Sequence, residues 1–218
     1  MAAADITRLM NNARDRLAGA TDPLMQRELF NVMDEFFKGS NVWNEDIELT
    51  VPGMDPANTV YQVTSSSPSL IDKLLWVFDK PTSTSTGRGS PVGAAMATPG
   101  ELTLASQPSS DKVYVVTVAL TVQDPAQRDG YVSFPAWVLA KYRDAILDGL
   151  LGNMMSQPNK PWTNTQLSVF HMRKFKNKTA SARVEWTRNN TYRQQAWAFP
   201  QGFSRGSQRG GTGWGGPV

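Results

Sequence analysis

The sequence predicts an α+β fold: a helical bundle from two N-terminal helices and a long C-terminal helix pair, with an inserted antiparallel β-module bearing a long arm. Three observations predict it. Apolar residues recur at helical spacing over the first 40 positions and again from Val138 onward. Between those stretches the period falls to two, in Asp46–Val51 and Lys112–Gln123. A segment rich in Pro, Thr, Ser and Gly, Lys80–Gly100, separates the strand patterns and reads as a loop or long β-arm.

Each element follows from its residues. Ile6, Met10, Ala13 and Leu17 share one helix face, and Gly19 and Ala20 break the pattern. Asp22 is the expected cap of a second helix, with Pro23 in its first position, where no amide hydrogen is needed. Met25, Leu29, Val32 and Phe36 form its apolar stripe, and Gly39 with Ser40 is the expected stop. Ile47, Leu49 and Val51 then alternate with Asp46, Glu48 and Thr50. Val60–Val63 and Leu74–Phe78 read as further strands. Lys112–Gln123 is apolar on both faces, which predicts a central, covered strand. Helix returns near Pro135, with Val138, Leu139, Tyr142, Ile146, Leu150 and Met154 in a broad stripe. Gln157-Pro158-Asn159-Lys160-Pro161 must end it. Thr163 with Gln166 forms an expected capping box for the last helix, whose apolar side begins with Leu167, Phe170 and Phe175.

The expected organisation is therefore residues 1–40 packing with the C-terminal pair, 41–130 as the β-module with its extended loop 80–100, 131–200 as the helix pair, and 201–218 as a Gly-rich extended tail. The last 17 residues hold seven glycines, with Phe203, Arg205, Arg209 and Trp214 among them. Such a segment cannot offset its ordering entropy alone, so those four residues are the candidate anchors on a partner.

Bulk chemistry narrows the function. No run of about 18 apolar residues exists, so no membrane span is expected. Met1–Gly19 lacks the pattern of a signal peptide, which points to folding in a cytoplasm. With no cysteine there is no disulfide, thiolate metal site or cysteine nucleophile. Charge is uneven. Residues 1–140 carry 10 Lys/Arg and 16 Asp/Glu, a balance of −6; residues 141–218 carry 12 and 3, a balance of +9; together they give the net +3. The basic end can meet an acidic surface, whether a copy of itself, another protein or nucleic acid. Long surface helices that simply collect Lys and Arg give the same asymmetry.

Motifs for chemistry are sparse. The one histidine, His171, would have to serve any Ser-His-Asp triad, and the cations Arg173 and Lys174 beside it favour a packed or capping role. Asp144 and Asp148 share a helix face, where Lys141 and Arg143 make a solvated, salt-bridged surface the expected setting. No catalytic, metal or cofactor-binding residue is assigned, and no cofactor is expected. The Thr86-Gly87-Arg88-Gly89-Ser90 run lacks the Lys-Ser or Lys-Thr of a phosphate loop. Arg205-Gly206 and Arg209-Gly210 are too few for an arginine-glycine RNA-binding tail to be specific. Arg173, Lys174, Lys176, Lys178 and Arg183 are the candidate face for DNA or an acidic partner, against the alternative of an ordinary wet helix face.

One passage is distinctive: Phe134-Pro135-Ala136-Trp137, Tyr142-Arg143-Asp144-Ala145, Asp148-Gly149-Leu150-Leu151, Met154 through Asn164 with its Gln157-Pro158-Asn159-Lys160-Pro161-Trp162 turn, and Phe170-His171. It resembles head-to-tail adaptor (connector) proteins of short-tailed bacteriophages. The order of opening helices, a Trp43–Val51 strand and a β-module with a polar arm matches as well, over roughly residues 20–200. The resemblance implies a non-enzymatic virion protein at the head–tail junction, made in the host cytoplasm. It implies a homo-oligomeric ring, typically of twelve copies, docked on the portal protein. It also implies contacts with tail nozzle and fibre, and viral DNA in the channel. Pro158, Pro161 and Trp162 become the structural turn of the helix pair, and 201–218 the arm that reaches the portal. Two other readings remain: a nucleic-acid-binding protein using the basic helix and tail, and another phage neck or tail-tube component.

Overall fold

The structure, a computed structural model, describes residues 6–53, 60–66, 69–80, 89–123 and 134–189. Helices α1 (Thr7–Arg14) and α2 (Asp22–Ser40) come first. Six strands follow among the described residues: β1 (Asn44–Val51), β2 (Val60–Gln62), β3 (Ser69–Asp79), β4 (Ala94–Thr98), β5 (Glu101–Leu104) and β6 (Lys112–Val122). Helices α3 (Ala136–Met155) and α4 (Thr165–Asn189) close the described chain. The fold is mixed α+β, as the sequence predicts.

Two three-stranded antiparallel sheets form, in the orders β1-β6-β3 and β2-β5-β4. Strand β6 is central, and its Thr117 to Val122 are all buried. Paired residues of an antiparallel sheet share a face. Trp76 pairs with Thr117 and stacks on Trp186 of α4, ring centroids 5.1 Å apart. On that same face Thr121 Oγ1 donates to Asp34 Oδ1 of α2 at 2.7 Å. Odd-numbered β6 residues thus face the helices. The even-numbered Tyr114, Val116, Val118, Leu120 and Val122 are buried too, as are Tyr61, Val63, Leu102 and Leu104 of the second sheet's segment. One apolar cluster runs through helices and sheets, from Leu9 and Met25 to Val116 and Phe175. Each such side chain stabilises the fold by roughly 1.5–3 kcal/mol on burial.

Several boundaries differ from expectation, each for a local reason. The cap of α2 is Thr21, in extended backbone; Asp22 is already helical and accepts from Arg14 Nη2, tying α1 to α2. Gly39 does not stop α2. Asn41 does, in the left-handed conformation at φ 57, its N–H returning to Phe37 O at 3.0 Å. The polar segment after β3 is partly strand. Gly89 N–H donates to Asp79 O and Val92 N–H to Val77 O, so the chain doubles back along β3; β4 then forms. The tip, 81–88, lies outside the described residues. Strands β4 and β5 were not expected, although Glu101-Leu102-Thr103-Leu104 alternates and Pro99-Gly100 makes a turn, Gly100 at φ +87.

Candidate functional site

The α3–α4 hairpin carries the residues the sequence singles out. Its turn closes as a hydrogen-bonded unit: Thr163 Oγ1 donates to Gln157 O at 2.6 Å and accepts from Lys160 N–H at 3.0 Å. Thr163 is therefore spent on the turn, and the cap of α4 is Asn164, whose Oδ1 accepts from Leu167 N–H at 3.0 Å. The expected Thr163–Gln166 capping box does not form: the cap moves one residue on, and Leu167 at the third helical position has no polar side chain to return the bond. Pro158 and Pro161 are exposed on the turn, and Trp162 tucks half-buried beside Gly19.

Close approach of the helices depends on two glycines. A Cβ on Gly149 would lie 2.5 Å from Val32 Cγ1 and 2.9 Å from Phe175 Cδ2. One on Gly152 would lie 2.6 Å from Met172 Sδ and 3.2 Å from that residue's backbone N. Glycine costs helix stability of about 1 kcal/mol at each position, and packing of α3 onto α2 and α4 is what it permits.

Polar contacts then bridge α3 to α4 along the pair. Ser168 Oγ donates to Gly152 O at 2.8 Å. His171 Nδ1 lies 2.8 Å from Asp148 Oδ1, and Lys178 Nζ donates to Asp148 Oδ2 at 2.6 Å and to Asp144 O at 3.0 Å. Lys141 Nζ meets Glu185 Oε1 at 2.5 Å, and Tyr142 OH reaches the same carboxylate at 3.4 Å. Burial pushes the Asp148 carboxyl up, but the Lys178 and His171 hydrogen bonds outweigh it and hold the group below its usual range. An ionised Asp148 only accepts, so Nδ1 of His171 carries the proton. The hydrogen bond between Lys141 and Glu185 moves the lysine up and the glutamate down.

This corrects one expectation. Asp148 is 8% exposed and is partnered by α4, not by Lys141 and Arg143 on a wet face. His171, at 7% exposure, is packed, as its residue context predicts.

The outer surface of α4 divides in two. Leu167, Phe170, His171, Lys174 and Lys178 line an open groove of about 660 Å³ against Asp144, Leu147, Asp148 and Met155 of α3, with Arg16 at its edge. Leu167 is 44% and Phe170 49% exposed, so they do not begin the core side as expected. The buried side is Ser168, His171, Phe175, Thr179 and Ala182. Three of these five are polar or titratable, and each finds a partner: Gly152 O, Asp148 and Phe175 O. Lys174 Nζ sits 4.4 Å from the Phe170 ring centroid, a cation–π contact on the groove rim. No described groove residue is a serine, threonine or cysteine, so the His171–Asp148 pair has no nucleophile beside it there.

Of the five candidate cations, Lys174 and Lys178 belong to the groove. Arg173, Lys176 and Arg183 are exposed and, at about 100° per residue, project on the opposite flank with Ala180 between them. Sequence spacing alone had them share a face with the two lysines. Phe203, Arg205, Arg209 and Trp214 lie outside the described residues. Missed by sequence were Arg16, Leu147 and Met155 of the groove; only the docking of α1 and α4 on α3 brings them together. Among the described residues no helix is long and apolar enough to cross a membrane, and no cluster of three metal-ligating side chains occurs. No protein-family model and no curated protein matches the chain.

Proposed function

We propose that the chain is a ring-forming structural subunit of a virion. In this reading it is a head-to-tail adaptor that joins the portal to the tail nozzle and fibres and extends the DNA channel. The observation that carries the reading is the groove. Its floor and rim present Leu147, Met155, Leu167 and Phe170 beside Arg16 and Lys174, on a hairpin whose interior is already locked by Asp148, His171, Ser168 and Lys178. Two half-exposed large apolar side chains on adjacent turns are better explained by a protein neighbour than by solvent. The role assigns no catalytic residue. The helix pair serves as the packing element of the ring, and Gln201–Val218 as the arm onto the portal.

Native mass spectrometry of the chain, alone and with its portal ring, tests this. The wild type is expected to assemble on the portal as a multi-copy ring. Leu167→Glu with Phe170→Glu should melt like the wild type, since both sites are on the surface, yet remain monomeric. Truncation after Pro200 should leave a folded subunit that assembles poorly. Free wild-type monomer in the presence of portal would overturn the proposal.

A further inference from the structure

Helix α4 is charged far out of balance. Thr165–Asn189 holds Arg173, Lys174, Lys176, Lys178, Arg183 and Arg188 against Glu185 alone, and Lys141 already occupies that carboxylate. Lys178 is spent on Asp148, and Lys174 lies over Phe170. Arg188 projects on a different side of the helix, which leaves Arg173, Lys176 and Arg183 together. All three are exposed, and none makes an ion pair with a described residue. They follow one flank of the helix at i, i+3 and i+10, past the small side chain of Ala180.

We infer that this flank binds the phosphate backbone of duplex DNA without reading its sequence. The ten helical steps from Arg173 to Arg183 span about 15 Å at 1.5 Å per residue. Phosphates of one strand advance about 3.4 Å per nucleotide along the duplex axis, so the stripe covers roughly four of them. No aromatic side chain lies on the flank, which removes the stacking platform that single strands use. Contacts of Arg and Lys with phosphate oxygens position a protein on the duplex and carry no sequence information. Guanidinium groups on either side of a lysine suit phosphate oxygens. The inference rests on the adaptor reading only for the choice of DNA as the polyanion; the charge pattern is independent of ring formation.

The test is fluorescence anisotropy of the full-length chain on a labelled random-sequence 20-base-pair duplex, titrated at salt concentrations from 50 to 200 mM. Three phosphate contacts give a slope of about −2.7 in log affinity against log salt, or about a fortyfold loss across that range. Arg173→Gln with Lys176→Gln and Arg183→Gln should weaken binding at least tenfold at 50 mM and flatten the slope. A control removing three exposed cations elsewhere, Arg8→Gln with Arg27→Gln and Lys160→Gln, should stay within twofold of wild type. Equal losses in the two triple variants would overturn the inference, because net charge and not the stripe would then govern binding. No binding at 50 mM salt would overturn it as well. Either result leaves the ring proposal standing if portal-bound rings still form, and DNA binding by a chain that never assembles would do the reverse.

Discussion

Asp148→Asn probes the polar bridge of the helix pair most directly. The substitution keeps size and one acceptor oxygen, so His171 Nδ1–H can still donate to it. What it removes is the charge-assisted contact with Lys178, now 2.6 Å from Oδ2, and it turns an amide NH₂ toward that ammonium. Losing a hydrogen bond to a charged group costs about 1.5–3 kcal/mol. The Lys178 side chain is 42% exposed and regains water as it swings out, so the lower part of that range applies, about 2 kcal/mol. For a chain of this size that corresponds to a fall in Tm of about 4–8 °C. The effect has a pH signature. The folded-state carboxyl sits below its ordinary 3.8, so its contribution is fully present above that pH and is lost as pH falls through the depressed value. Thermal melts of wild type and Asp148→Asn should differ at pH 7, and the gap should narrow progressively as the pH falls below 3.8. Equal melting at pH 7, or a gap undiminished at pH 3, would refute the bridge as a source of stability.

Two further perturbations separate packing from capping. Gly149→Ala gains helix propensity but drives a methyl group into Val32 and Phe175, both fully buried; chemical denaturation should show a net loss of about 1–3 kcal/mol, and a gain would show that the helices are not in close contact there. Asn164→Ala should cost about 1 kcal/mol through loss of the α4 cap, while Asn164→Ser, which keeps a capping oxygen, should cost a few tenths at most; urea midpoints of the two variants measure the difference.

Legibility of the sequence depended on whether a signal was local. Helices α2 and α3 were plain because their buried residues are apolar at regular spacing, and Met25, Leu29, Val32, Phe36, Val138, Ile146, Leu150 and Met154 are all fully covered. The central place of β6 was equally plain, since a strand apolar on both faces needs cover on both. Helix α4 misled. Its inward side carries Ser168 and Thr179 beside His171, and the two hydroxyl residues are ones a hydropathy reading assigns to solvent. Burial is tolerable only because Gly152 O, Asp148 and Phe175 O satisfy them. Leu167 and Phe170, assigned to the core, stand outside for the complementary reason: the inward places were already taken.

By itself, then, the sequence determined the mixed α+β class, most of the elements and the concentration of positive charge after Lys141, because periodicity and composition are properties of the chain alone. Only the tertiary structure decided which strands pair, that Asp148 joins His171 and Lys178, and that the cations of α4 split between a groove and an opposite flank. The Asp148 bridges and the β1–β6 pairing depend on contacts between residues 23 or more positions apart along the chain, and no local pattern encodes which distant partner a side chain will meet.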